Sequence, residues 1–491
     1  MATAEAQRRR IRAALVHARS TVEDAWSGYR ALGGRADRAA VRAFLDGSAE
    51  LPAHERDRLA LAVERLVGRA PARERTRARH GADDLPDGPL AALVELLVGT
   101  HLVPPEAIGD AVRETASRLG VEALAYVADY QFRVLVPVPA TGGDGGDAGE
   151  PVQIEGTVAG RAFRALRTVE ATVDGRPCLW VPVIDGVERI GVLRVVALEG
   201  TDLDDPELRR TCWWITHLLG HLVTVLDAYG DGLDALRRRR PRTTEAELVW
   251  SLLPPLTAGT DAVVVAGRLE PAYEVGGDVF DYALGPTSAS FVVLDATGHD
   301  LAAGLASAAG LAAYRNARRN GKGLFEQAES VHRTLEAQFG GSVYATAVFG
   351  ELDTTTGRLR YLVAGHPSPL VMRRGHVVKK LASGRRPLLG LEMRTGVTLG
   401  EEHLEPGDTI VLYTDGIPEA RDAEGRTFGL PRLVDVLERE SAQGIPLPEI
   451  VDRLVRAVMQ HQDDVLQDDA TLLLVQWTTE GQALLEPGRA R

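Results

Sequence analysis

Two cysteines, Cys178 and Cys212, are all the thiols in 491 residues. That excludes a disulfide framework and a Cys-rich zinc site, and it fits a reducing cytoplasm. Long apolar runs are also missing. Nothing approaches the ~18 to 20 apolar residues of a membrane-spanning helix, and Leu90 to Val98 is interrupted by Glu95. The basic start from Gln7 to His17 has no apolar stretch long enough for a signal peptide. The reading is therefore a cytoplasmic chain without a membrane partner. Basic residues are outnumbered, 56 against 69 acidic, for a net charge of -13. This favours solubility and speaks against nucleic acid as a partner.

What is present is length enough for about three cores. Residues 1–68 have helical periodicity in Ile11, Leu15, Val22, Trp26, Tyr29 and Leu32. The spacing predicts a second helix from Arg38 to Leu45 capped by Asp37, and a third from Ala53 to Val67. Residues 69–89, rich in Arg, Asp, Gly and Pro, read as a linker. Residues 90–228 begin with helical patterning and turn to strands at 123–127, 132–138, 179–184 and 190–197. The glycine-rich Thr141 to Glu150 is a loop, and a helix over 206–228 closes this α+β unit. Residues 229–255 form a linker and signalling helix. The run Leu236 to Arg242 reads as a solvated linker, and Thr244 as the cap of a helix that Pro254 ends.

Within the second unit, Ile154-Glu155-Gly156-Thr157-Val158-Ala159-Gly160-Arg161-Ala162-Phe163, Trp180-Val181-Pro182-Val183 and Arg189-Ile190-Gly191-Val192-Leu193 resemble the segments of a GAF domain. The resemblance implies a sensor that binds a small ligand or dimerises; which ligand stays open. Cys178 is a candidate attachment point, with a buried structural thiol the commoner role. Helices near 206–228 and 243–253 suit a homodimer.

Residues 256–480, followed by a tail at 481–491, hold a series of aspartates at turns and strand ends: Gly276-Gly277-Asp278, Asp295-Ala296-Thr297-Gly298-His299, Tyr413-Thr414-Asp415-Gly416 and Asp468-Asp469-Ala470-Thr471. Asp295 follows Phe291-Val292-Val293-Leu294, and Asp415 follows Ile410-Val411-Leu412-Tyr413-Thr414, which places both at strand ends. Gathered carboxylates repel and raise one another's proton affinity. Cations resolve the conflict, and oxygen ligands without His or Cys favour two Mg²⁺ or Mn²⁺ ions. Such a pair activates water toward a phosphate ester.

Together with Pro271 to Gly277 and Ala364-Gly365-His366-Pro367, these motifs resemble the PPM (PP2C-like) serine/threonine phosphatases of the SpoIIE/RsbU branch, over about residues 244 to 477. The resemblance implies an α-β-β-α sandwich of two antiparallel sheets flanked by helices. It implies catalytic and metal-ligating roles for Asp278, Asp295, Asp415 and Asp468. Asp295 would bridge both ions, Asp278 and the Ala296 carbonyl would hold one, and Asp415 and Asp468 the other. The substrate it implies is a phosphoprotein, a STAS-domain anti-anti-sigma factor in partner-switching control of transcription. Asp281 and Asp469 stand outside the ligand set, as holders of backbone or water. His299 has two readings, general acid or turn residue, and His366 reads as structural. Asp300 departs from the branch's Gly-His-Gly and suggests an extra metal or a reshaped loop. The alternative to an enzyme is a pseudophosphatase scaffold that binds a phosphoprotein or small ligand.

Overall fold

A computed structural model describes residues 4–17, 20–69, 89–101, 103–140, 149–274, 276–392, 396–464 and 466–478. The tail, nearly all of the 69–89 linker and most of the 141–150 loop lie outside the described residues. Four helices come first: α1 (Ala4–His17), α2 (Val22–Ala31), α3 (Arg38–Asp46) and α4 (Ala53–Arg69). They close on a core of Ile11, Leu15, Tyr29, Phe44 and Leu59. Asp37 caps α3, accepting the Ala40 N–H at 2.8 Å.

The second unit runs α5 (Pro89–Thr100), α6 (Ile108–Arg118), β1 (Val121–Ala128), β2 (Val134–Pro137), β3 (Val152–Gln153), α7 (Val158–Ala165), β4 (Val169–Val173), β5 (Arg176–Asp185), β6 (Glu188–Ala197), α8 (Pro206–Asp227) and α9 (Asp231–Arg237). Its strands form an antiparallel sheet in the order β3-β2-β1-β6-β5-β4. Strand alternation divides β1: Ala125 and Val127 join the core with α5, α6 and α8, whereas Tyr126 and Ala128 face α7.

The third unit comprises α10 (Thr244–Leu252), β7 (Thr257–Gly259), β8 (Val263–Glu270), β9 (Asp278–Leu284), β10 (Ser288–Ala296), α11 (Leu301–Arg319), α12 (Leu324–Phe339), β11 (Ala345–Asp353), β12 (Arg358–Ala364), β13 (Leu370–Arg373), β14 (His376–Lys380), β15 (Arg385–Arg386), β16 (Gly400–His403), β17 (Thr409–Tyr413), α13 (Gly429–Ser441), α14 (Leu447–His461) and β18 (Ala470–Trp477). One sheet runs β15-β12-β11-β10-β9 with β16 beside β12, the other β14-β13-β17-β18-β8-β7. All pairings are antiparallel except β12 with β15. Helices α11 and α12 pack on the first sheet, α13 and α14 on the second, giving the four layers of the expected α-β-β-α sandwich. The cap of α10 is Thr243, one residue before the expected Thr244.

The arginine run between units two and three is solvated at Arg239 and Arg240 but not at Arg242. The Arg242 guanidinium lies 4.0 Å from the Tyr130 ring centre and 4.9 Å from that of Trp250, with 5 % of its side chain exposed. Arg237 stacks on Tyr130 as well. Aromatic faces and the carboxylates of Asp234 and Glu247 replace water around these cations.

Candidate metal centre

Strand β9 pairs with β10 so that Asp278 stands directly opposite Asp295. Two like charges in that position oppose pairing. Their face is fixed by the core: a β-carbon on Gly267 of β8 would meet the Phe280 ring, so Phe280 and, two residues away, Asp278 face the second sheet. Three residues along the strand, Asp281 falls on the opposite face. There it accepts from Arg315 and Arg318 of α11, each at 2.7 Å.

The turns carrying Asp415 and Asp468 arrive from the second sheet. Thr414 N–H donates to the Thr471 carbonyl at 3.0 Å, and Thr471 N–H to Thr414 Oγ1 at 2.9 Å. Gly416 lets these turns close: a β-carbon there would stand 1.9 Å from the Asp469 carbonyl oxygen. Thr414 Oγ1 in turn donates to Asp278 Oδ2 at 2.8 Å, joining the two sheets at the site.

Asp469, buried, accepts on one oxygen the N–H groups of Gly276, Gly277 and Asp278 at 3.0, 2.8 and 3.2 Å. It holds backbone and so fixes the approach to Asp278. The glycines answer to contact as well, since a β-carbon on Gly276 would lie 2.5 Å from the His299 carbonyl oxygen, and one on Gly277 2.4 Å from that of Ala296. The Ala296 carbonyl is thereby placed beside the Gly277 backbone, next to Asp278 in the chain. Beneath Asp295, Thr346 Oγ1 lies 2.6 Å from His366 Nδ1 and 3.4 Å from Asp295 Oδ2. With His366 Nε2–H donating to the Tyr413 carbonyl at 3.1 Å, Nδ1 takes the Thr346 proton. Burial pushes the His366 pKa down to about 4, so the ring is neutral and ties β11 to β17. His299 lies exposed on the 297–300 turn. Asp300 caps α11, its Oδ1 accepting the Ala303 N–H at 3.1 Å.

Charge sets the site apart. Burial, then Asp295 and Asp469, raise the pKa of Asp278 well above the usual carboxylate range. Burial, with Asp415, Asp468 and Asp469, pushes Asp295 up to about 7, and burial followed by Asp468 raises Asp415. Among the described residues no Lys or Arg forms an ion pair with Asp278, Asp295, Asp415 or Asp468, whereas Asp281 takes two arginines. The donors, carboxylates and a carbonyl, match hard divalent cations in chemistry and charge. Among the described residues no three acidic, imidazole or thiol side chains are closed into a cage around one ion.

A pH dependence follows. The folded chain holds the Asp295 proton to about 7 while the unfolded chain releases it near the ordinary 3.8. Between those values the folded state binds more protons, so stability falls as pH rises. His366, with its lowered pKa, acts in the opposite sense but only below its ordinary 6.5. In EDTA, the melting temperature is expected to drop from pH 6.5 to 8, more steeply for the wild type than for Asp295→Asn. Equal slopes would remove Asp295 from the cluster.

Residues 285–478 match the family Stage II sporulation protein E (SpoIIE). The chain is similar to Protein IcfG of Synechocystis sp., 30% identical over 135 residues, which is 27% of this chain and 21% of that protein. It is also similar to Phosphoserine phosphatase RsbU of Bacillus subtilis, 23% identical over 272 residues, 53% of this chain and 79% of the relative. The chain thus spans about a fifth of the first relative's length. Two solved structures are similar: the RsbU and RsbW domains of a Mycobacterium tuberculosis protein (27% identity, TM-score 0.39, 44% of this chain and 62% of that one) and the PP2C phosphatase domain with a regulatory fragment of SpoIIE from Bacillus subtilis (20%, 0.37, 45% and 63%).

Proposed function

We propose that this chain, whose residues 285–478 match the SpoIIE family, is a PP2C-like protein serine/threonine phosphatase of that branch, hydrolysing phosphoserine or phosphothreonine on a protein with two Mn²⁺ or Mg²⁺ ions. The observation that carries the reading is the group of four aspartates within electrostatic reach of one another, without a basic partner among the described residues, two of them paired across a ladder. When bound there, two divalent cations lower the pKa of a water and neutralise charge on the phosphoryl oxygens. Asp295 would hold both ions, Asp278 and the Ala296 carbonyl would hold one, and Asp415 and Asp468 the other. Thr414 occupies one oxygen of Asp278 and so orients the other. Asp469 keeps the Gly276-Gly277 backbone in place, and neutral His366 anchors the strand pair beneath Asp295.

The second unit is proposed as a GAF-like sensor, acting through α10. The exposed Trp214, Val225 and Tyr229 on and after α8 support a second copy of this chain as its partner. A phosphorylated STAS-domain protein is the proposed substrate, by analogy with the branch. No helix among the described residues is long and apolar enough to cross a membrane.

The test uses the full chain. Phosphate release from a phosphoserine peptide is expected with Mn²⁺ and is abolished by EDTA. A folded chain that binds Mn²⁺ yet releases no phosphate sinks the enzymatic reading in favour of the scaffold.

A further inference from the structure

One turn of the second unit, between β1 and β2, reaches both segments that lead to Asp278. Asp129 Oδ1 fixes the turn by accepting the Arg133 and Val134 N–H groups at 2.7 and 3.0 Å. Phe132 sits at φ 51°, a strained left-handed backbone for a bulky residue, which the surrounding contacts must hold. Its ring centre lies 4.6 Å from the Arg268 guanidinium of β8, and the Arg189 guanidinium lies 5.3 Å away. Arg268, buried, donates to Glu270 Oε1 at 2.8 Å, and Glu270 Oε2 accepts the Ala272 N–H at 2.9 Å. Glu270 also stands opposite Ala470 in the ladder, next to Asp469.

The same turn reaches the neighbouring residue by a second route. Tyr130 carries Arg237 and Arg242 on its ring and donates to Asp234 Oδ1 at 2.6 Å. This seats the linker whose Arg239 N–H donates to the Tyr273 hydroxyl, and Thr243 N–H to the Tyr273 carbonyl, both at 2.9 Å. Ala272 and Tyr273 are thus gripped from the turn by two independent sets of bonds, a few residues before Gly276.

We propose that the turn Asp129–Arg133 is the docking element by which the second unit holds the backbone carrying Asp278, with Phe132, Arg268 and Glu270 as positioning residues. The inference rests on the phosphatase reading only for its effect on catalysis; the mechanical coupling stands apart from it.

Full-length Phe132→Leu and Glu270→Gln are compared with the wild type by amide hydrogen exchange at Gly276, Gly277 and Asp278. Each variant is expected to exchange at least about fivefold faster there in local opening, with β10 amides at Val292 to Leu294 unchanged. The double variant gains less than the product of the two, because both act on one path. In phosphatase assays the Mn²⁺ concentration for half-activation rises while kcat at saturating Mn²⁺ changes little. Glu270→Gln preserves side-chain volume and carries the test if Phe132→Leu does not fold. Unchanged exchange at Gly276 to Asp278, or full multiplicativity, overturns the proposal. Faster exchange in a chain without phosphatase activity upholds the coupling and removes the phosphatase reading.

Discussion

Asp295→Asn is expected to lose at least about a thousandfold in phosphate release and yet melt at a higher temperature than the wild type in EDTA. The two effects share a cause. Asp295 is assigned to both ions, and losing a charge that helps hold them removes several kcal/mol of transition-state stabilisation; about 4 kcal/mol corresponds to a thousandfold. Without metal the same charge is a liability, pressed by burial and by Asp415, Asp468 and Asp469. An amide of equal shape relieves that repulsion, the usual exchange of stability for function at an active site. Asp281→Asn should behave in the opposite way. It weakens the acceptor of Arg315 and Arg318 and costs about 1 to 3 kcal/mol of stability, with half-activating Mn²⁺ unchanged. Wild-type turnover in Asp295→Asn, together with a lowered EDTA melting temperature, would refute the assignment.

Sequence made some of this arrangement readable and hid the rest for physical reasons. Asp295 and Asp415 end near-continuous apolar runs, and such runs mark buried strands; β10 and β17 lie where those runs lie. Asp278 also opens a strand, but β9 is interrupted by Asp281, whose neutralising arginines stand 34 and 37 residues further on. An acid in an apolar run looks like a turn until its partners are known. The short β13 to β16 carry too few residues for periodicity to register, and α13 begins without a side-chain cap. Asp300, read from sequence as an extra metal ligand or a reshaped loop, caps α11, a role its place directly before Leu301 could have signalled. Within the arginine linker only Arg242 departs from the solvated reading among the residues described, because Tyr130 and Trp250, which lie against it, flank it at distances no local pattern encodes.

Asp469 separates a positioning role from ligation most sharply, and its variants should rank by hydrogen-bonding capacity. One carboxylate oxygen accepts three backbone N–H groups, from Gly276, Gly277 and Asp278. In Asp469→Ala all three donors lose a buried charged acceptor, each such bond being worth about 1.5 to 3 kcal/mol. The Gly276-Gly277 backbone is then released, and Asp278 loses its place opposite Asp295. Half-activating Mn²⁺ is expected to rise at least about tenfold, with activity partly recovered at high Mn²⁺, because the ligands themselves remain. Asp469→Asn retains an oxygen acceptor but not its charge, so its shift should fall between wild type and alanine. Asp468→Asn provides the contrast. Asp468 is exposed and, among the described residues, its one hydrogen bond accepts the Asp469 N–H at 2.9 Å. Losing it should abolish activity that Mn²⁺ does not restore, while exchange at Gly276 to Asp278 stays as in the wild type. If Asp469→Ala leaves both that exchange and the Mn²⁺ dependence unchanged, the three hydrogen bonds do not position Asp278. If high Mn²⁺ rescues Asp468→Asn as fully as Asp469→Ala, Asp468 is not a ligand.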